Sequence, residues 1–254
     1  MELPKITVIT ASYNSEKTIA DTIESVLKQK YANIEYLIID GKSSDNTISI
    51  IKQYKDLFEG RLKYISEKDA GIYDAWNKGV KMSTGSWISF VGSDDILLEN
   101  TISEFINSTI KNKDVNFISS KNLLVTYNLD PIRVIGKPWS KKINSYNCIG
   151  HVGSLHHKSL FEKKGLFDIN YKIVGDYDFL LRCSDIIKPQ FLDILSAKVR
   201  DGGISGSLIF NVAKETLHTK NSNKAQSIIV SYYQYIVMIF KYFVRTKILN
   251  KLKL

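Results

Sequence analysis

Over the first hundred residues, short β-branched runs alternate with segments whose apolar positions recur at helical spacing. Ile6-Thr7-Val8-Ile9-Thr10 is too short for a helix and reads as a strand. A helix follows, capped by Asn14 or Ser15 and running to about Lys28, with Ile19, Ile23, Val26 and Leu27 on one face. Ile34 to Ile39 is a second strand, ending in Asp40-Gly41. Ser43, Ser44 and Asp45 offer caps for a helix carrying Ile48, Ile51 and Tyr54. Leu62 to Ile65 is a third strand, Ile72 to about Lys81 a short helix, and Trp87 to Val91 a fourth strand. Strands that alternate with helices predict an α/β fold: a mainly parallel sheet covered on both faces.

Beyond residue 100 the pattern loosens. Thr101 to Ile110 is helical by period, and Val115 to Ser119 and Leu123 to Tyr127 read as two strands. Pro131 to Tyr146 reads as loop, with short helices at Leu160 to Lys164 and Tyr177 to Ser184. The tail is different again. Ala225 to Phe240 is sixteen residues without a charge. That is short of the roughly twenty a spanning helix needs. Its polar residues Ser227, Ser231, Gln234, Lys241 and Arg245 form one narrow stripe on a helical wheel. Such a helix lies in a membrane interface, with its basic end near anionic headgroups, or packs on the core or a second subunit.

Composition changes this picture little. Apolar residues make up 44% and charged residues 24% of 254, as expected for one globular α/β domain with a short appendage. Cys148 and Cys183 form neither a disulfide framework nor a zinc site. No signal peptide is read at Met1-Glu2-Leu3-Pro4-Lys5, so a cytoplasmic location is expected. The net charge of +9 has no nucleic-acid signature beside it, and from Lys241 onward there are five basic residues and no acid.

Candidate chemistry gathers at strand ends. Asp94 and Asp95 follow the fourth strand directly, where open α/β sheets bind ligands. Adjacent carboxylates repel unless a cation neutralises them, which suits a divalent ion on a diphosphate. Taken alone, they are better explained by a solvated turn that caps a helix; the other strand-end residues shift the balance. Ser12, Tyr13 and Asn14 follow the first strand, Asp40 the second, and the polar segment Gly71 to Gly79 precedes the fourth. Far downstream, Gly175-Asp176 opens an apolar helix, with Asp176 either a general base or an N-cap and Asp178–Arg182 a local ion pair. His151, between glycines, reads as a loop residue able to face a phosphate, and Asp201-Gly202-Gly203-Ile204-Ser205 as a turn able to close over an anion.

The order of these motifs resembles glycosyltransferase family 2. The segments are Ile9 to Asn14, Asp40-Gly41-Lys42-Ser43-Ser44-Asp45-Asn46-Thr47, Asn77-Lys78-Gly79 with Gly85, and Ser93-Asp94-Asp95. The His151 segment, Gly165-Leu166-Phe167-Asp168, Gly175-Asp176-Tyr177-Asp178 and Gly202-Gly203-Ile204-Ser205 resemble the family's bacterial polysaccharide branch, the O-antigen, capsule and colanic-acid type. Together they span roughly residues 5 to 210. Lys42, Val152 and His157-Lys158 depart from the usual pattern.

The resemblance implies a GT-A fold and inverting transfer from a nucleotide sugar, UDP-linked by preference, to a saccharide or lipid-linked acceptor. Residues 1–217 would form that domain, 1–100 its nucleotide half and 101–217 its acceptor half, with 218–254 a basic amphipathic helix. Ser12, Tyr13, Asn14, Asp40, Asp69 and Asn77 would line the donor pocket, Asp40 at the base and Asp69 near the nucleoside. Asp95, with Asp94 beside it, would hold Mn2+ or Mg2+, and Asp176 would be the base. Peripheral contact with the inner face of a bacterial membrane follows, with room for a homo-oligomer. A nucleotidyltransferase is disfavoured, because Ser12-Tyr13-Asn14 is not a glycine- and lysine-rich triphosphate loop. A catalytically inactive nucleotide-sugar-binding scaffold is the alternative of another class.

Overall fold

The structure, a computed structural model, describes residues 3–203 and 209–252. Ile204 and Ser205 of the expected anion turn, and Lys253 of the basic tail, lie outside the described residues. The first ninety residues run β1 (Ile6–Ser12), α1 (Ile19–Leu27), β2 (Ile34–Asp40), α2 (Thr47–Lys55), β3 (Leu62–Ser66), α3 (Ile72–Met82) and β4 (Trp87–Phe90). The next stretch adds β5 (Ile96–Leu97), α4 (Thr101–Lys111), β6 (Phe117–Val125), β7 (Pro131–Ile135), β8 (Gly150–His157), α5 (Ser159–Lys164), α6 (Gly175–Arg182) and β9 (Pro189–Arg200). Two further helices close the chain, α7 (Ile209–Ser222) and α8 (Ile228–Leu252).

Among the described residues one sheet forms, in the order β3-β2-β1-β4-β8-β6-β9-β5, with β7 paired to β6. The first four strands are parallel, as their alternation with helices predicts. Beyond β4 the sheet is mixed: β8 runs antiparallel to β4 and β6, while β6 and β9 run parallel. β2 is buried along its whole length, which explains its near-continuous apolar run. Its exception, Glu35, accepts from Thr7 Oγ1 (2.8 Å), Thr84 N (2.8 Å) and Thr84 Oγ1 (3.0 Å) at the edge opposite the strand C-termini.

Two cores flank the sheet. Ile6, Val8, Ile23, Val26, Ile38, Ile102 and Phe105 pack with α1, α2 and α4 on one face. Ile9, Leu37, Trp76, Phe90, Phe161, Phe167 and Phe179 pack with α3, α5 and α6 on the other. The second face is aromatic, with Phe161 stacked on Phe179 at 4.4 Å and Trp76 against Phe90 at 4.7 Å.

Several sequence expectations change. The two strands expected at 115–119 and 123–127 are one, β6. Ser119, Ser120 and Asn122 interrupt its apolar pattern yet are each 1% exposed, and register shifts accompany them. The loop expected at 131–146 contains β7, an exposed edge strand starting at Pro131, where a missing N–H is tolerated. β9 and α7 carry no clean period in the sequence. The helix expected from Asn14 or Ser15 starts at Ile19; Asn14 instead has a left-handed backbone, φ +48°. The expected division at 217/218 falls inside α7. Finally, α8 turns only the middle of its polar stripe toward α7: Ser231 is 1% exposed and Gln234 half-buried, while Ser227 and Lys241 stay exposed.

Candidate active site

β1, β2 and β3 end side by side, Ser12 opposite Asp40 and Asp40 opposite Ser66. The loops beyond them enclose a cleft of about 350 Å³ lined by Tyr13, Gly41, Lys42, Lys68 and Asp69. Tyr13 offers an aromatic wall and is 65% exposed. Asp69 Oδ1 accepts from Gly71 N at 2.9 Å, and its other oxygen overhangs Gly41, where an added Cβ would lie only 2.7 Å away. Glycine is thus what lets that carboxylate reach over the β2 loop. An open cleft with an aromatic wall, one carboxylate and two cations suits a planar base carrying an N–H, with phosphates beyond it.

Asp40, expected at the nucleotide base, instead lies beneath the cleft and does not line it. It is fully buried, and its oxygens accept from Ser12 Oγ (3.1 Å), Ser43 N (2.9 Å), Ser43 Oγ and Ser66 Oγ (2.7 Å). Ser12 and Asp40 therefore shape the cleft from beneath. Asn14 links the neighbouring loops, its N–H donating to Ser43 Oγ (2.8 Å) and its Oδ1 accepting from Ser44 N (2.9 Å). Asp45 completes the frame by accepting from Glu16 N and Thr47 N. Asn77 is not part of the cleft. It is 6% exposed and spends its amide on the Phe167 backbone, Nδ2 to O and N to Oδ1, both 2.9 Å. It clamps α3 to the segment before α6.

The acidic turn follows β4. Asp95 is 6% exposed, and both carboxylates lean over Gly92: a Cβ there would lie 2.6 Å from Asp95 Oδ2 and 3.0 Å from Asp94 Oδ1. Burial, with the Asp94 charge second, pushes Asp95 up to about 7, and burial raises Asp94 as well. Arg200, at the end of β9, braces the turn. Its N–H donates to Asp95 Oδ1 (3.2 Å), its Nη1 to the Asp94 carbonyl, and its Nη2 pairs with Asp21. Among the described residues no cluster of three or more His, Cys, Asp or Glu is poised for a metal. The donor set nevertheless fits a hard divalent ion that takes one or two carboxylates from protein and the rest from diphosphate and water.

Asp176 sits in the first turn of α6 and is half-buried. The Tyr73 hydroxyl lies 3.4 Å from its Oδ1 and 2.7 Å from the Ile173 carbonyl, and Asn147 Nδ2 lies 3.4 Å from its Oδ2. The loop before it is held from behind by Glu215 of α7, which accepts from the N–H groups of Lys172 (3.0 Å), Ile173 (2.9 Å) and Val174 (3.1 Å). Asp178 pairs with Arg182 as expected and also accepts from Thr219 Oγ1 and Asn223 Nδ2. Asp178 is thereby fully engaged, which leaves Asp176 as the available carboxylate on this helix.

His151 differs from expectation. It lies in β8, its ring stacked against Trp76 (5.4 Å) and Phe90 (5.8 Å), not in a loop facing a phosphate. Burial lowers its basicity, and the Asp176 charge opposes that only in part. Its Nε2 and the Trp76 Nε1 are buried without hydrogen-bond partners. Asp201, Gly202 and Gly203 form an exposed turn beyond β9.

The family profile "Glycosyl transferase family 2" matches residues 7–160. The chain belongs to glycosyl transferase family 2. Among curated relatives of this family 2 enzyme, a "PGL/p-HBAD biosynthesis glycosyltransferase" of Mycobacterium bovis is 26% identical over 220 residues, 82% of either chain. The Escherichia coli "UDP-Glc:alpha-D-GlcNAc-diphosphoundecaprenol beta-1,3-glucosyltransferase WfgD" is 34% identical over 143 residues, covering 56% of this chain and about half (53%) of that one. In fold, S. aureus TarS 1–349 in complex with UDP superposes with a TM-score of 0.68 at 17% identity, over 94% of this chain and 72% of that one. The mannosyltransferase PcManGT from Pyrobaculum calidifontis, in complex with GDP-Man and Mn2+, gives 0.68 at 14% identity, over 92% and 70%. The fold is GT-A, and the chain is a glycosyltransferase.

The family 2 motifs did not reveal every residue of the site. Arg200 closes a β-strand with no clean alternation. Tyr73 and Asn147 reach Asp176 from segments far away in sequence, and Glu215 reaches the loop before it from a helix without a clean period. Arg200 had one signal, its place just before the Asp201-Gly202-Gly203 turn.

Proposed function

We propose that this enzyme transfers a sugar from a UDP-sugar, with inversion and with a divalent ion, to a lipid-linked or saccharide acceptor of a bacterial surface polysaccharide. One observation carries the reading: two carboxylates, buried Asp95 and half-buried Asp94, converge over Gly92 at the same sheet edge as the Tyr13–Asp69 cleft. Two of the similar proteins support the donor and acceptor classes. The WfgD name specifies UDP-glucose and a diphosphoundecaprenol acceptor, and TarS was solved with UDP-GlcNAc. Mn2+ accompanies GDP-Man in PcManGT.

In this reading Tyr13 and Asp69 face the nucleoside, while Ser12, Asn14 and Asp40 hold the loops that form its pocket. Asp95 and Asp94 hold Mn2+ or Mg2+, which when bound neutralises charge on the departing diphosphate. Asp176 takes the acceptor hydroxyl proton. The acceptor oxygen then bonds to the anomeric carbon while the carbon–diphosphate bond breaks, its electron pair leaving with UDP. Attack from the face opposite UDP inverts the centre, so no second carboxylate is needed as nucleophile. The enzyme would work at the cytoplasmic face of the membrane that holds its acceptor. A panel of nucleotide sugars scored for nucleotide diphosphate release tests the reading. Release from UDP-sugars that depends on added acceptor is expected, and release from none of them overturns it.

A further inference from the structure

Helix α8 covers Ser231 and half-buries Gln234 while leaving much of its apolar surface exposed. Across a polar seam with α7, Lys220 Nζ donates to Gln234 Oε1 (2.8 Å), and Gln226 Nε2 donates to the same oxygen (2.7 Å) and lies 3.3 Å from Ser231 Oγ. Directional bonds of this kind fix the rotation of the helix about its axis. Facing outward, Ile229, Tyr233, Ile236, Phe240 and Phe243 follow one another at spacings of four, three, four and three, with exposures of 47% to 83%. Ile228, Tyr232 and Val244 widen the face. Phe210 of α7, 49% exposed, continues it by packing edge-on against Tyr242 (5.8 Å) and Phe243 (5.9 Å). A continuous apolar surface of this extent marks a docking site.

The charge around it selects the occupant. No acid follows Glu215 in the sequence, whereas Lys224, Lys241, Arg245, Lys247, Lys251 and Lys253 do. The four–three spacing alone would suit a coiled coil with a second copy, but such pairing calls for acids opposite the cations, and the tail has none. No described helix is long and apolar enough to cross a membrane. An anionic bilayer surface supplies both what the apolar face and what the cations lack. Tyr232, Tyr233 and Tyr242 suit the headgroup boundary, where an aromatic ring with a polar tip is at home.

We propose that α8, with Phe210, lies in the headgroup boundary of an anionic membrane, and that the Lys220–Gln226–Gln234 seam holds its apolar face toward the lipid. Because α7 also grips the Asp176 loop through Glu215, the seam sets the base at a defined height above the bilayer. This deepens the lipid-linked acceptor reading and rests on it for its purpose alone.

The test is co-sedimentation of the full chain with phosphatidylcholine vesicles, with and without phosphatidylglycerol, in the absence of donor and acceptor. A failed transfer assay therefore leaves it untouched, and the reverse also holds. Binding to the phosphatidylglycerol vesicles is expected, weakened by salt, and reduced roughly tenfold or more in Ile229→Glu/Ile236→Glu/Phe240→Glu. That variant should melt at the wild-type temperature, since these side chains are exposed; the milder Ile229→Ser should bind to an intermediate degree. Lys241→Glu should weaken binding only where phosphatidylglycerol is present. A wild type that ignores anionic vesicles overturns the proposal. So does a wild-type dimer that the triple variant converts to monomer without any vesicle binding by either.

Discussion

Asp176 and Asp178 sit two residues apart on one helix and separate into different roles by their partners alone. Asp178 is saturated by Arg182, Thr219 and Asn223, whereas among the described residues the hydrogen-bond contacts of the Asp176 carboxylate are two long ones, from Tyr73 and Asn147. Asp176→Asn should lower kcat by about 10²- to 10⁴-fold with little change in donor KM, measured as UDP release under saturating acceptor. Near-normal turnover would remove Asp176 from the base role. Asn77 makes a contrasting prediction. Its truncation to Ala leaves the Phe167 N–H and carbonyl unpaired in a buried place, so unfolding in urea should show a loss of about 1–3 kcal/mol. UDP affinity should not change, because Asn77 lies outside the cleft. A variant that loses UDP affinity without losing stability would return Asn77 to the donor pocket.

Elements were legible where period and burial agree. β1, β2 and β3 are short apolar runs in a parallel sheet, and Ile19, Ile23 and Val26 of α1 all point to one core. Legibility failed where burial is polar or exposure apolar. Ser119, Ser120 and Asn122 are buried inside β6, so hydropathy broke one strand into two. In α8 the polar stripe was legible but its direction was not, since only the partner helix reveals which side is covered. The site residues on strand ends were readable as acids beside apolar runs, while Arg200 and Glu215 arrive from elements without a clear period. The α7–α8 seam carries a prediction of its own. Burial lowers Lys220 from its usual 10.5 to about 8. Between about 8 and 10.5 the folded chain binds fewer protons than the unfolded one, so stability rises with pH across that window. Lys220→Met should remove this rise and raise Tm at pH 7 by about 2–4 °C, equivalent to about 1 kcal/mol. Gln234 Oε1 keeps its bond from Gln226 in that variant. A Tm that falls at pH 7 would show that the ammonium stabilises the seam.

At the scale of the whole molecule, the parallel half of the sheet presents the Tyr13–Asp69 cleft and the acidic turn, and the mixed half presents Asp176. Arg200 ties the two halves together at the acidic turn, and Asn77 does so at Phe167. α7 then connects the base loop to the outward face of α8. The account depends most on the Asp94–Asp95 pair, whose burial and mutual repulsion call for a cation once both are ionised. The most direct measurement is UDP release from a UDP-sugar with acceptor present, before and after EDTA, then after adding back Mn2+ or Mg2+. The predicted result is loss of turnover by roughly 100-fold or more on chelation and recovery on adding metal, with Asp95→Asn inactive throughout. Turnover that survives EDTA undiminished would contradict the account.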